Sequence, residues 1–222
     1  MSGPLVRGSK SSSSTLSPAA AWKARFVRLI VLGVPYGVAF HLLNLVAVSY
    51  EAASQGGVSL WYAPAGLSVA MLLRFGIGYA PIYFLVSMFD NHFVWHLHLA
   101  PLPFVGIALV PVCVYSLCAW ILRGPLRIDS QLSEIRGTAA FVIAVALASA
   151  VVSLGNVGVL FATGKITHIG PRHSAWDFWI GDLVAILSIA PFLLTVVFPR
   201  GPGLQRLLQE RRVWDRASKA LG

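Results

Sequence analysis

The 222 residues are 57% apolar and only 11% charged, with a mean hydropathy of +0.75. That balance excludes a disordered chain, a collagen-like repeat and an ordinary soluble enzyme. Seventeen Lys and Arg against eight Asp and Glu leave a net charge of +9. In a soluble protein this excess points to nucleic acid, whereas in an apolar chain it marks cytoplasmic loops, so the location of the bases decides.

Residues 1–22 form a polar tail with Ser11, Ser12, Ser13 and Ser14 in a row, a composition that favours disorder. Leu29 to Val48 is the first stretch long enough to cross roughly 30 Å of hydrocarbon, interrupted by His41 and Asn44. Ala19, Ala20 and Ala21 precede this apolar core instead of following it, so the span reads as a retained anchor and not a cleaved signal. Val58 to Leu73 is a second, short span broken by Pro64 and Gly66. The third, Ile77 to Trp95, turns polar at Asp90, Asn91 and His92. Spans two and three read either as full crossings or as partly re-entrant segments. Pro103 to Leu122, Thr138 to Ala162 and Phe178 to Phe198 complete the set of six. Pro199, Gly201, Pro202 and Gly203 then break the chain. Beyond them, Leu204, Leu207, Leu208, Trp214, Ala217 and Leu221 recur at near-helical spacing among charges. That tail, 199–222, reads as a basic amphipathic helix at the cytoplasmic interface or as a linker.

Placing the N-terminus inside puts fifteen of the seventeen bases on the cytoplasmic side and leaves only Lys165 and Arg172 outside. The positive-inside rule requires that asymmetry. The expected fold is therefore an all-α integral membrane bundle of six transmembrane helices occupying 23–198, with both termini cytoplasmic. The charge is explained by topology, and no nucleic acid is expected as a partner.

Polar residues inside a membrane are expensive and usually face the bundle interior. His41, Asn44 and Glu51 share a face of span one, and Ser87, Asp90 and Asn91 a face of span three. Span five carries Ser149, Ser153 and Asn156; span six carries Asp177 at its mouth and Asp182 about 6 Å deeper. These groups gather in the outer half of the bilayer, while the inner halves are Leu, Val, Ile and Ala. Asp182, Asp90, Asn91, Asn156, Asn44 and His41 are thus the candidate lining of an outward-facing pocket, with Trp61 and Trp179 as possible walls. Asn and Ser also bond neighbouring helices in ordinary packing, and Gly155, Gly158, Gly181 and Ala185 look like close-approach positions. Trp61, Trp95, Trp176 and Trp179 lie at interface depth, where aromatic belts form.

The histidines His92, His96, His98, His168 and His173 lack a diagnostic metal spacing and read as solvated interface groups. Cys113 and Cys118 match no zinc knuckle. There is no P-loop and no G-x-S-x-G, and neither a catalytic residue nor a cofactor is expected.

Two passages carry a family resemblance. Leu60-Trp61, then Pro64-Ala65-Gly66-Leu67 and an apolar run ending Arg74-Phe75-Gly76, resembles the second span of the MASE family, the first-described membrane-associated sensor domain of bacterial signalling proteins. Trp176-Asp177-Phe178-Trp179-Ile180-Gly181-Asp182, followed by Leu187 and Pro191, resembles its tryptophan-glycine-aspartate span. Pro81 and the Asp90-Asn91 pair also fall where that family carries a proline and an asparagine. The resemblance covers about residues 26–198 and makes Trp61, Pro64, Gly66, Trp179, Gly181, Asp182 and Pro191 motif positions. It implies a sensory input module in the bacterial inner membrane, in contact with lipid and coupled to a histidine kinase or diguanylate cyclase output. The stimulus would be an undefined small ligand, and a second copy of the chain is a further partner. Position 185 is Ala where relatives often have Gly. The family generally has about eight spans, so the chain reads as an N-terminal fragment or a shortened, free-standing member. Two other readings compete with it. One is a small transporter or channel, and the other an intramembrane enzyme using Asp90 and Asp182 as a carboxylate pair.

Overall fold

A computed structural model of the chain describes residues 18–53, 61–126, 135–166 and 170–197. Every regular element among them is helical: α1 (Pro18–Ala53), α2 (Ala63–Phe75), α3 (Ala80–Phe93), α4 (Pro101–Arg123), α5 (Ile135–Ala162) and α6 (Pro171–Phe192). A single 3-10 turn, Ile77–Tyr79, joins α2 to α3, and a π-helical turn, Leu193–Val197, extends α6. Helices α2, α3, α4 and α6 each open with a proline in the first two positions. A ring there costs no hydrogen bond, since the N–H it removes would have no partner in the first turn. Gly76, at φ 102°, closes α2 in a conformation that favours glycine.

Among the described residues, four segments are long and apolar enough to cross a membrane: Leu29–Ser49, Pro101–Arg123, Ile135–Ala162 and Pro171–Val197. Helices α2 and α3 have 13 and 14 residues, which at 1.5 Å per residue is about 20 Å, short of the hydrocarbon thickness. Of the six spans expected from hydropathy, four are long helices among the described residues, while spans two and three, read as full crossings or partly re-entrant segments, are the short helices α2 and α3. Tyr62 precedes α2 and Trp95 follows α3, and their rings lie 6.3 Å apart, so the open ends of this pair meet.

Helix α2 is the interior element, with ten of its thirteen residues buried. It lies against α6 so closely that a Cβ on Gly66 would stand 2.6 Å from the carbonyl oxygen of Ala185 and 2.8 Å from Cβ of Ile189. On the side facing α1, the Tyr36 hydroxyl and Ser68 Oγ are 2.9 Å apart, and Ser68 also donates to the Pro64 carbonyl. The long helices turn apolar side chains outward, among them Val31, Val34 and Val38 on α1 and Leu147, Val151 and Leu154 on α5. Exposed rows of that kind are what a lipid-facing surface requires.

Around the C-terminal half of α2, Val69, Leu72, Leu122, Phe141, Val145 and Leu194 pack into a dry core. Arg123 Nη1 donates to the Leu72 carbonyl at 3.3 Å, which sets the basic end of α4 beside that of α2. Three boundaries differ from those expected. Helix α1 starts at Pro18, within the stretch read as tail, and α3 ends at Phe93, before Trp95. Helix α6 starts at Pro171, seven residues before Phe178. Residues 1–17 and 198–222, with the serine run and the basic tail, lie outside the described residues, as does the side chain of Glu51.

Gly66→Ala is expected to destabilise the bundle by about 1–3 kcal/mol, because the backbone of α6 has to move to admit a methyl group. Gly158→Ala, where no atom lies within 4 Å of the added carbon, is expected to be neutral or slightly stabilising. Thermal unfolding of the two variants in detergent checks the contrast.

Candidate functional site

A cavity of about 410 Å³ opens between α3, α4, α5 and α6, beside the start of α2. Tyr83, Tyr115 and Asp182 are among its deeper lining groups, and Ser87, Asn91 and Asn156 form its polar wall. Tyr62, Trp95 and Phe178 add aromatic surface, with His96 and Lys165, both exposed, at the mouth. Asp182 stands eleven residues after Pro171, about 16 Å along α6 at the α-helical rise. It therefore lies near the middle of the helix, because Pro171 starts α6 earlier than hydropathy indicates.

The Asp182 side chain is buried, with 1% of the residue exposed. Tyr115 donates its hydroxyl hydrogen to Oδ2 of Asp182, while Oδ1 has no hydrogen-bond partner. Oδ1 of Asn156, across the cavity wall on α5, is equally without one. Buried polar atoms are nearly always paired, and a bare acceptor costs about 1–3 kcal/mol. Two such acceptors lining one cavity form a place suited to hydrogen-bond donors.

Behind this cavity lies a second polar cluster, fully paired. Asp90 Oδ1 is 2.7 Å from His41 Nδ1, and Asp90 Oδ2 accepts from Asn44 Nδ2 at 2.8 Å. Asn44 Nδ2 also donates to the Phe40 carbonyl at 3.1 Å, and Asn44 Oδ1 accepts from Trp95 Nε1 at 2.9 Å. The cluster ties α1 to α3 and fixes the indole that forms part of the cavity wall.

The expected site residues thus divide into groups. Asp182, Asn91 and Asn156 line the cavity; Asp90, Asn44 and His41 stand behind it and hold Trp95. The two carboxylates have separate partners and do not face a common space. Trp61 is 41% exposed at the start of α2 and is not part of the lining. Trp179 Nε1 donates to the Ala146 carbonyl at 2.9 Å, so its ring lies between α5 and α6, where it joins Trp176 in a separate cleft of about 590 Å³. Pro64 starts α2, Gly66 admits α6, and the Gly181 carbonyl accepts the Tyr62 N–H at 3.4 Å. Pro191 lies within α6, directly before the π-helical turn.

Sequence reasoning missed the three tyrosines, which a hydropathy count treats as apolar. A usable signal was present: Tyr83 and Ser87 continue the face of Asn91 backward at helical spacing. A phenol deep in a membrane span, away from the interface, also needs a hydrogen-bond partner.

Asn44→Leu would strand Asp90 Oδ2 and the Trp95 indole N–H together. The expected loss is about 1–3 kcal/mol of stability, read by thermal unfolding, with a larger solvent exposure of Trp95 visible as fluorescence quenching by acrylamide.

A family model, MASE1, matches residues 27–219. No curated protein and no solved structure matches the chain.

Proposed function

The chain belongs to the MASE1 family of membrane-associated sensor domains, and we propose that it is a multi-pass sensory input module of the bacterial inner membrane whose ligand occupies the cavity at Asp182. In this reading the mouth with Lys165 faces outward and the basic ends of α2 and α4 face the cytoplasm. All six helical segments contribute to the crossing, with both termini on the cytoplasmic side. The output is a cytoplasmic histidine kinase or diguanylate cyclase, in the same chain or in a partner.

The observation that carries this reading is the orphaned Oδ1 of a buried aspartate on a cavity wall. A stable bundle does not retain an unsatisfied intramembrane carboxylate oxygen for packing alone. Conduction is the weaker reading, because the dry core of Val69, Leu72, Leu122, Val145 and Leu194 closes the path toward the basic end. A ligand shifts a two-state bundle only by its difference in affinity for the two states. Asp182 is well placed to register that difference, since its helix continues through Pro191 into the π-helical turn Leu193–Val197. Pro191 removes one backbone donor, and a π-turn is a common site of local rearrangement.

The test is a labelling experiment joined to a signalling assay. Asn91→Cys, in a background carrying Cys113→Ser and Cys118→Ala, is expected to react with a membrane-impermeant maleimide added to spheroplasts and not with reagent confined to the cytoplasmic face of inverted vesicles. With the module joined to a diguanylate cyclase output, Asp182→Asn is expected to remove the stimulus dependence of cyclic di-GMP at unchanged membrane abundance. Labelling only from the cytoplasmic face, or a fully responsive Asp182→Asn, overturns the proposal.

A further inference from the structure

We propose, resting on that reading of the cavity, that its ligand is a small organic amine bound as the ammonium ion. The N–H groups of the ammonium bond Asp182 and Asn156, while its carbon body lies against Tyr62, Trp95 and Phe178. The polar atoms set the sign and the hydrogen-bonding character. Asp182 Oδ1 and Asn156 Oδ1 are acceptors without donors, and the one phenol hydrogen of Tyr115 is already spent on Asp182 Oδ2. An incoming group that supplies several N–H donors and a positive charge offers these oxygens the donors they lack.

The surrounding chemistry narrows the class further. An anion would meet the carboxylate with no base beside it: the two cationic or titratable bases among the lining residues, Lys165 and His96, are exposed at the mouth, Lys165 beyond the end of α5. A hard metal ion wants six or more oxygen ligands, whereas much of this wall is aromatic. Rings of Tyr and Trp attract cations when these approach within about 6 Å, and the attraction grows on desolvation. A quaternary ammonium would enjoy the rings and leave both acceptors bare, which favours a primary amine. The volume, about 410 Å³, falls at the small end of the usual ligand range of roughly 300–1,000 Å³.

Isothermal titration of the full chain in lipid nanodiscs tests this with three compounds of one carbon skeleton: phenethylamine, 2-phenylethanol and 3-phenylpropionate. Saturable binding is expected for phenethylamine alone. Asp182→Asn and Asn156→Leu are each expected to weaken it about tenfold or more; the second variant keeps the test decisive should the first fail to fold. Equal binding of the alcohol or the carboxylate, sensitive to the same two variants, overturns the amine assignment and leaves the cavity as the ligand site. Amine binding unchanged in both variants overturns the placement at Asp182. Absence of binding by all three overturns the amine class, and the maleimide labelling above then decides separately whether the cavity faces outward. Displacement of phenethylamine by an equal concentration of calcium chloride overturns it in favour of a metal ion.

Discussion

An aspartate buried halfway along a membrane helix has to be compensated, and the bundle compensates only half of Asp182. Tyr115 reaches across from α4 to one oxygen and leaves the other buried without a hydrogen-bond partner. Transfer of a carboxylate from water into hydrocarbon is among the most costly steps a folding chain can take. The arrangement persists because the surrounding helices hold the cavity open: α2 presses on α6 through Gly66, and the Tyr62 N–H is tethered to the Gly181 carbonyl beside Asp182. The close approach of backbones and the cavity are thus one construction. Glycine at position 66 lets α2 in, and α2 brings Tyr62 to the wall.

The two aspartates show how one residue type takes opposite roles through its neighbours. Asp90 meets His41 and Asn44, so both of its oxygens are engaged. It functions as a clasp between α1 and α3, and its outer member is the Trp95 indole. Through that ring the clasp and the cavity share a wall. A change in the packing of α1 against α3 is therefore felt at the cavity wall without any contact between the two carboxylates, which is a physical basis for coupling between helices.

Much of this was legible in the residues. Apolar length marks α1, α4, α5 and α6, and the polar face of His41 with Asn44 is the one that meets Asp90. Depth was less legible. Hydropathy places the start of α6 at Phe178, where the apolar run begins, but the helix starts where Pro171 allows it, and Asp182 moves to mid-length as a result. Trp61 and Trp179 were ambiguous for a different reason. An indole at interface depth satisfies its N–H in many ways, and the bond from Trp179 to the Ala146 carbonyl depends on the separation of α5 and α6, which no single-chain pattern encodes. The tyrosines escaped notice because a hydropathy scale averages a ring and a hydroxyl into one number.

The contrast between the two ends of the bundle favours the proposed sensory reading over conduction. Toward the mouth, the walls carry a carboxylate, two carboxamides, a serine and phenols; toward Arg123 the buried side chains are mostly aliphatic and aromatic, with Cys118, Tyr79 and the buried Oγ of Ser116 among the few heteroatoms. In the proposed reading, occupancy of the cavity is not converted into flux. It is converted instead into helix movement, because α6 passes from the cavity through the close contact with Gly66 and into a segment where Pro191 and the π-turn interrupt regular hydrogen bonding. A rigid α-helix would carry a small rotation at Asp182 through unchanged. The proposed conversion of binding into a discrete signal rests on such an interrupted segment exchanging between two local bonding patterns.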